Sequence, residues 1–328
     1  MDWNTLADKA LGGEVLSDEE CLGVLRAPDE ALPDLLEATS RVREHHCGRR
    51  VRMKVLINAK SGLCPEDCGY CSQSAVSRAP IARYPLLSGQ RLLDAARQAH
   101  AARAHTFCIV DSGRKPTDRE VDQLAEAARA IKAEVPIRLC FSVGLLTEAT
   151  ARRLRDGGFD RGNHNLNTSE RFYDRICSTH TYQDRVATVR AITAAGLSPC
   201  CGVIAGMGEE DQDLIDVARA LRELHVDSIP VNFLHPIPGT PLGSRPRLTP
   251  ERCLKILCLF RLLNPSRHIR PAGGREVNLG ALQPLALYAA SSLFVGGYLT
   301  TPGQPPAEAV RMIEEMGFEV DEGNGREP

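Results

Sequence analysis

From residue 51 onward, short apolar runs alternate with longer stretches in which apolar positions recur every three or four residues. The short runs predict strands at 53–58, 105–111, 137–143, 161–166, 198–204, 228–234, 268–272 and 292–298. The longer stretches predict amphipathic helices at 88–104, 118–134, 147–157, 181–196, 209–225, 249–263 and 281–290. Ser88-Gly89, Thr147-Glu148, Thr181-Tyr182 and Thr249-Pro250 supply helix starts, and Gly157, Gly158 and Gly196 fall where helices should stop. Eight strands alternating with helices predict an α/β fold, a parallel (β/α)8 TIM-type barrel; an open doubly wound sheet is the alternative, disfavoured by the count of eight.

Ahead of the barrel, residues 2–47 read as short polar helices, with Ser17-Asp18-Glu19-Glu20 as a capping-box-like start. The expected organisation is an N-terminal helical extension over 1–50, the barrel over 51–320 and a polar, flexible tail over 321–328. The run Pro236-Ile237-Pro238-Gly239-Thr240-Pro241 reads as a rigid loop after the sixth strand.

The chain of 328 residues is long enough for one large barrel or two ordinary domains. A formal net charge of −2 supplies no basic field, which argues against a nucleic-acid partner. The local group Arg49, Arg50, Arg52 and Lys54 reads as a solvated edge. Residues 279–299 carry no charge over 21 positions, the length of a membrane span. Gly280, Gln283, Pro284, Ser291, Ser292, Gly296 and Gly297 interrupt that run, so it reads as a buried helix followed by a buried strand. The polar start Met1-Asp2-Trp3-Asn4 has no signal-peptide core behind it. A cytoplasmic protein with reduced thiols is therefore expected, although the chain holds twelve cysteines.

Three of those cysteines, Cys64, Cys68 and Cys71, form a C-x3-C-x2-C loop just after the first strand. Three thiolates can hold three irons of a cubane cluster and leave the fourth open to a small chelating ligand. A tetrahedral zinc site wants a fourth Cys or His, yet the next cysteine is Cys108 and no His lies near the loop in sequence.

Cys108, Cys140 and Cys200 fall on three different predicted strands. Each alone reads as a small buried hydrophobe. Three on separate strands of one barrel, beside a cluster loop, point to a second iron–sulfur cluster deep inside. Adjacent Cys200 and Cys201 must face opposite ways on a regular strand. Cys200 is taken as inward, with Gly202 and Ile204 on its face, and Cys201 as facing the surrounding helices. Cys21, Cys47, Cys177, Cys253 and Cys258 read as structural, the last two on a helix facing the barrel wall.

Asn163, Asn165 and Asn167 share one face of the fourth strand, and Asn232 poses the same question on the sixth. Buried amides need partners, and a ligand rich in donors and acceptors, such as a urea ring, would supply them. A turn in which Asn is common is the plainer reading. Arg270 is a charge on an apolar strand, to be matched by an anionic cluster or by a carboxylate. Arg185 begins a helix, where it either reaches a ligand carboxylate or is solvated.

The stretches Cys64-Pro-Glu-Asp-Cys-Gly-Tyr-Cys-Ser-Gln-Ser74, Asn163-His-Asn-Leu-Asn167, Gly273-Gly-Arg-Glu-Val-Asn278 and Tyr298-Leu-Thr-Thr301 resemble the radical S-adenosylmethionine enzymes. The three strand cysteines with Arg270 narrow the resemblance to the biotin synthase family, from about Lys54 to about Val320. That resemblance implies a sulfurtransferase of the radical type, which inserts sulfur into dethiobiotin to form biotin. Cys64, Cys68 and Cys71 would hold a 4Fe–4S cluster that binds and cleaves S-adenosylmethionine. The resulting 5′-deoxyadenosyl radical would take hydrogen from dethiobiotin. Cys108, Cys140, Cys200 and Arg270 would hold a sacrificial 2Fe–2S cluster, or a larger auxiliary one, as sulfur donor. Tyr70, Arg185, Ile204 and Asn165 would contact S-adenosylmethionine, and Asn163, Asn165 and Asn232 the substrate. Asn167 stands where some members carry Asp. An electron donor such as flavodoxin or ferredoxin and a homodimer are further implications. A radical enzyme without sulfur insertion, or a non-enzymatic iron–sulfur scaffold, are the competing readings.

Overall fold

The computed structural model describes residues 1–323, so most of the expected tail, 324–328, lies outside the described residues. Three helices come first: α1 (Trp3–Leu11), α2 (Asp18–Leu25) and α3 (Leu32–Cys47). The capping box at α2 forms, with Ser17 and Glu20 bonding each other's backbone N–H groups.

The barrel begins with β1 (Arg50–Lys60) and runs through β2 (Thr106–Asp111), β3 (Arg138–Ser142), β4 (Arg161–Asn163), β5 (Ser198–Cys200), β6 (Val203–Ala205), β7 (Ser228–Phe233), β8 (His268–Pro271) and β9 (Ser292–Phe294). All pairings are parallel, and the path runs β9-β1-β2-β3-β4-β5-β7-β8, with β6 also on β7. The two ends meet where the Ser291 N–H donates to the Ile269 carbonyl at 3.0 Å, so the sheet curls round on itself. A short β10 (Glu319–Asp321), not foreseen, pairs with the first residues of β1.

Helices surround the sheet: α4 (Gly89–Ala101), α5 (Asp118–Glu134), α6 (Glu148–Asp156), α7 (Glu170–Tyr173), α8 (Tyr182–Ala194), α9 (Asp211–Glu223), α10 (Pro250–Leu263), α11 (Arg275–Leu279) and α12 (Pro306–Glu315). Helix α10 is buried from Cys253 to Leu263 on every face, because α2, α3 and α9 wrap the side that the barrel leaves open. Thr39 of α3 lies beside Cys258, so this cysteine faces the N-terminal helices and not the barrel wall.

Three predicted elements differ. The fifth strand breaks into β5 and β6, because Pro230 on β7 has no N–H for the ladder. At the break, a Cβ on Gly202 would stand 1.9 Å from the Pro230 carbonyl oxygen, so only glycine lets the strands approach. The fourth strand stops at Asn163, and Asn167 takes a left-handed φ of 72°. The expected helix at 281–290 is instead a run of 3-10 turns, Gly280–Tyr288, around Pro284. No helix among the described residues is long and apolar enough to cross a membrane.

Candidate active site

A cavity of about 390 Å³ opens at the C-terminal ends of the strands. Every candidate site residue named from sequence lines it: Cys64, Cys68, Cys71 and Tyr70; Cys108, Cys140, Cys200 and Arg270; Arg185 and Ile204; Asn163, Asn165 and Asn232.

The cysteine loop has no helix or strand of its own, and its shape comes from bonds to its surroundings. The Gly69 N–H donates to Ile176 O at 2.9 Å, and the Leu242 N–H donates to Gly69 O at 3.1 Å. Further along, the Arg78 N–H donates to Gly239 O at 2.8 Å, which ties the segment to the proline-rich loop after β7. Asp67 accepts from the Ser178 N–H at 3.0 Å and the Thr179 N–H at 3.2 Å. Burial alone would raise the Asp67 carboxyl, but the hydroxyl and N–H of Ser178, with the Cys177 thiol and the Thr179 hydroxyl, outweigh it and hold it low.

Two residues that the sequence reading set aside lie against this loop. Cys177, taken as structural, has its sulfur 3.7 Å from that of Cys68. His180 is brought beside them by the fold, although no His is near the loop in sequence, and the three ligand atoms lie within 4.8 Å of one another. His180 is nevertheless a poor metal ligand. Its Nε2 accepts from Arg185 Nη2 at 2.7 Å, which leaves Nδ1 as the donor to the Glu66 carboxylate. Both ring nitrogens are thereby committed. No sequence signal would have placed Cys177 here, because the contact spans more than a hundred residues.

Arg185 is buried and fixed on three sides. Its Nη1 donates to the Asn165 carbonyl at 2.8 Å, its Nε to the Tyr173 hydroxyl and its Nη2 to His180. The asparagines face the cavity even though the strand ends before two of them. Asn163 Nδ2 donates to Ser142 Oγ at 3.2 Å, and Asn167 Nδ2 donates to Tyr70 Oη at 2.6 Å. Asn165 Oδ1 is buried with no partner, which leaves an acceptor for a ligand. Asn232 is different: its Oδ1 accepts from the Gly273 N–H and its Nδ2 donates to Val203 O, both at 2.9 Å. Asn232 therefore braces the backbone and has only its remaining hydrogen and lone pair to offer. Gly274 beside it needs to be glycine, with φ of 73° and a would-be Cβ 2.0 Å from Phe233 O.

The floor of the cavity carries the second cysteine set. Cys108 and Cys140 stand opposite each other in the β2–β3 register. The Cys140 thiol donates to the Phe141 carbonyl at 3.7 Å. The neighbouring Cys140 thiol, with Lys54, Arg270 and Arg161 nearby, draws the Cys108 thiol below its ordinary value, while Cys140 is pushed up. Burial would raise the Cys200 thiol, but Arg270 and Lys54 bring it below its ordinary value. Cys201 points away from the cavity into the apolar packing behind the sheet, as the alternation predicts.

Lys54 is a correction to the sequence reading. It is not part of a solvated edge: its side chain is 1% exposed and its Nζ has no partner. The alternation Lys54, Leu56 along Val51-Arg52-Met53-Lys54-Val55-Leu56 carries the signal, a charge on the inward face of a strand. Arg52 is also drawn in, pairing with Asp321 at 2.9 Å, whereas Arg49 and Arg50 are exposed.

Residues 60–221 match the Radical SAM superfamily model, and residues 230–319 match the Biotin and Thiamin Synthesis associated domain. The chain is 52% identical to the biotin synthase of Geobacillus kaustophilus (strain HTA426) over 320 residues, 98% of this chain and 96% of that one. It is equally 52% identical to the biotin synthase of Bacillus subtilis (strain 168), over 97% of this chain and 95% of that one. The chain belongs to the biotin synthase family. The fold agrees with this. The solved methylornithine synthase (PylB) superposes with a TM-score of 0.84 at 23% identity, covering 96% of this chain and 97% of that one. The hydrogenase maturase HydG from Carboxydothermus hydrogenoformans superposes with a TM-score of 0.81 at 20% identity, covering 97% and 79%. Membership of the biotin synthase family and of the radical superfamily implies a 4Fe–4S cluster and S-adenosylmethionine.

Proposed function

We propose that this chain is a sulfurtransferase that inserts sulfur into dethiobiotin to form biotin. The observation that carries this reading is the presence of two cysteine triads on one cavity, Cys64, Cys68 and Cys71 on a loop and Cys108, Cys140 and Cys200 on the strands below.

The loop thiols fit a cubane cluster. They are three, they share the cavity, and the nearest His is committed elsewhere. When bound, that cluster supplies the electron that cleaves S-adenosylmethionine to a hydrogen-abstracting radical. Arg185 and Tyr70 would orient S-adenosylmethionine, with Ile204 packing against it and the unpartnered Asn165 oxygen accepting from it or from the substrate. Asn163 and the spare capacity of Asn232 would hold the ureido ring.

The floor fits a second, anionic cluster. Cys108, Cys140 and Cys200 supply thiolates, and Arg270 adds a guanidinium whose Nε is buried without a partner. A 2Fe–2S cluster is the reading this small set favours, with sulfur transfer to the substrate held between the triads. The barrel walls exclude water and stray thiols from that space. An electron donor such as flavodoxin or ferredoxin and a homodimer belong to the same reading. All twelve cysteines are free, which supports a reducing compartment such as the cytoplasm.

The test is anaerobic incubation of the reconstituted protein with dethiobiotin, S-adenosylmethionine and a reductant, read by mass spectrometry. Biotin, methionine and 5′-deoxyadenosine are expected. Formation of 5′-deoxyadenosine without biotin would leave a radical enzyme of another kind.

A further inference from the structure

Lys54 lies on β1 one layer beneath Leu56, which lines the cavity beside Cys108. The groups that act on it most strongly are Arg161, Arg270, Cys200 and Cys108, and none of these is a carboxylate. Arg161 and Arg270 are themselves 5% and 1% exposed. Arg161 Nε donates to Ser198 Oγ at 2.9 Å, and Arg270 donates to Ser228 Oγ at 2.9 Å and to Cys200 Sγ at 3.1 Å. Lys54 Nζ alone has no acceptor at all.

Burial, with Arg161 and Arg270 adding to it, pushes the Lys54 ammonium well below its ordinary value, because an unpaired buried charge beside two guanidiniums is costly. Ordinary core packing would place a Met or Leu here. The arrangement makes sense if an anion sits among them, and an iron–sulfur group held by three thiolates is net negative. Hydrogen bonds and nearby positive charge also set the potential of such a group.

We propose that Lys54 is a positioning residue for the second cluster, its ammonium acting as charge partner and hydrogen-bond donor to the sulfur-bearing group held by Cys108, Cys140 and Cys200. This rests on the second cluster proposed above. A positive charge at this point stabilises the reduced, more negative form, so Lys54 raises the midpoint potential of the group and slows its loss.

The experiment compares full-length wild-type protein with K54M, K54Q and K54R after anaerobic reconstitution. Iron and sulfide are counted, the midpoint potential of the second cluster is measured by spectroelectrochemistry, and iron release to a chelator is timed. Heat stability of the iron-free proteins is measured alongside. K54M is expected to show a more negative midpoint and iron release faster by a few-fold, with the spectrum of the loop cluster unchanged. K54R is expected to restore the midpoint. Iron-free K54M is expected to be at least as heat-stable as wild type, because it loses a buried polar nitrogen that has no partner. A purely structural lysine predicts the reverse: lower stability and an unaltered midpoint. Wild-type iron for one cluster only would overturn the two-cluster reading and this proposal with it. Wild type with two clusters, and K54M with unchanged midpoint and release, would overturn this proposal alone. So would K54M and K54Q both proving insoluble, since the proposal requires the iron-free barrel to tolerate a neutral side chain.

Discussion

Arg270 Nη2 donates to the Cys200 sulfur at 3.1 Å, reaching from β8 across β7 to β5. Its Nη1 bonds Ser228 Oγ on the intervening strand, and its guanidinium lies 4.8 Å from the Phe294 ring centroid. One side chain thus clamps three strands and holds a thiol ready to ionise. Arg270→Met should raise the Cys200 thiol back toward its ordinary value. Alkylation of Cys200 in iron-free protein at about pH 8, followed by mass spectrometry, should slow, because less of the thiol is then ionised. An unchanged rate would remove Arg270 as the cause.

The two thiols at the loop separate by role. Cys68→Ala should abolish the loop cluster and 5′-deoxyadenosine formation, because only two loop thiols then remain. Cys177→Ala, although it removes a sulfur 3.7 Å from that of Cys68, should keep wild-type iron at that site and most of the cleavage activity. Iron analysis and chromatography of 5′-deoxyadenosine check both variants. Equal loss in both would make Cys177 a ligand.

Asp111 lines the cavity with its Oδ1 buried and unpartnered. Burial, with Glu120 adding to it and Lys60 opposing, pushes its carboxyl up to about 7. A folded-state value above the unfolded one means that the folded protein binds the extra proton. The resulting stability is complete below about pH 4 and is lost as pH rises through about 7. Asp111→Asn should match wild type at about pH 4 and exceed it by on the order of 2 kcal/mol at about pH 8. Chemical denaturation at the two pH values measures the difference.

Gly202 sits where β5 and β6 part. Gly202→Ala would drive a methyl to within 1.9 Å of the Pro230 carbonyl oxygen and 2.7 Å of its Cγ. A loss of about 3 kcal/mol or more is expected, because the obstacle is backbone in a central strand. Thermal unfolding followed by circular dichroism reports it. A shift of only a degree or two would mean that the strands part more easily than their packing suggests.

The barrel was legible in the sequence because its helices and strands differ in period, and that difference survives in a single chain. Cys108, Cys140 and Cys200 could be placed on the inward face by alternation alone, and Cys201 on the outward face. What failed was everything set by contacts distant in sequence. Pro230 broke a strand from the neighbouring one, which the run around Cys200 gives no sign of. Cys177 and His180 reach the cysteine loop through Asp67 and Glu66, pairings with no periodic signature. Lys54 was misread because Arg49, Arg50 and Arg52 beside it suggested a surface. Its alternation with Leu56 held the correct answer. Asn232 was legible as a buried amide but not as one already satisfied by Gly273 and Val203.

Helix α10 has no face of its own turned to solvent between Cys253 and Leu263. The first three helices are therefore a lid over an apolar rod and not an ornament on the barrel. A truncated chain lacking residues 1–47 would leave that rod bare, and it should aggregate on expression while every cavity-lining residue is still in place.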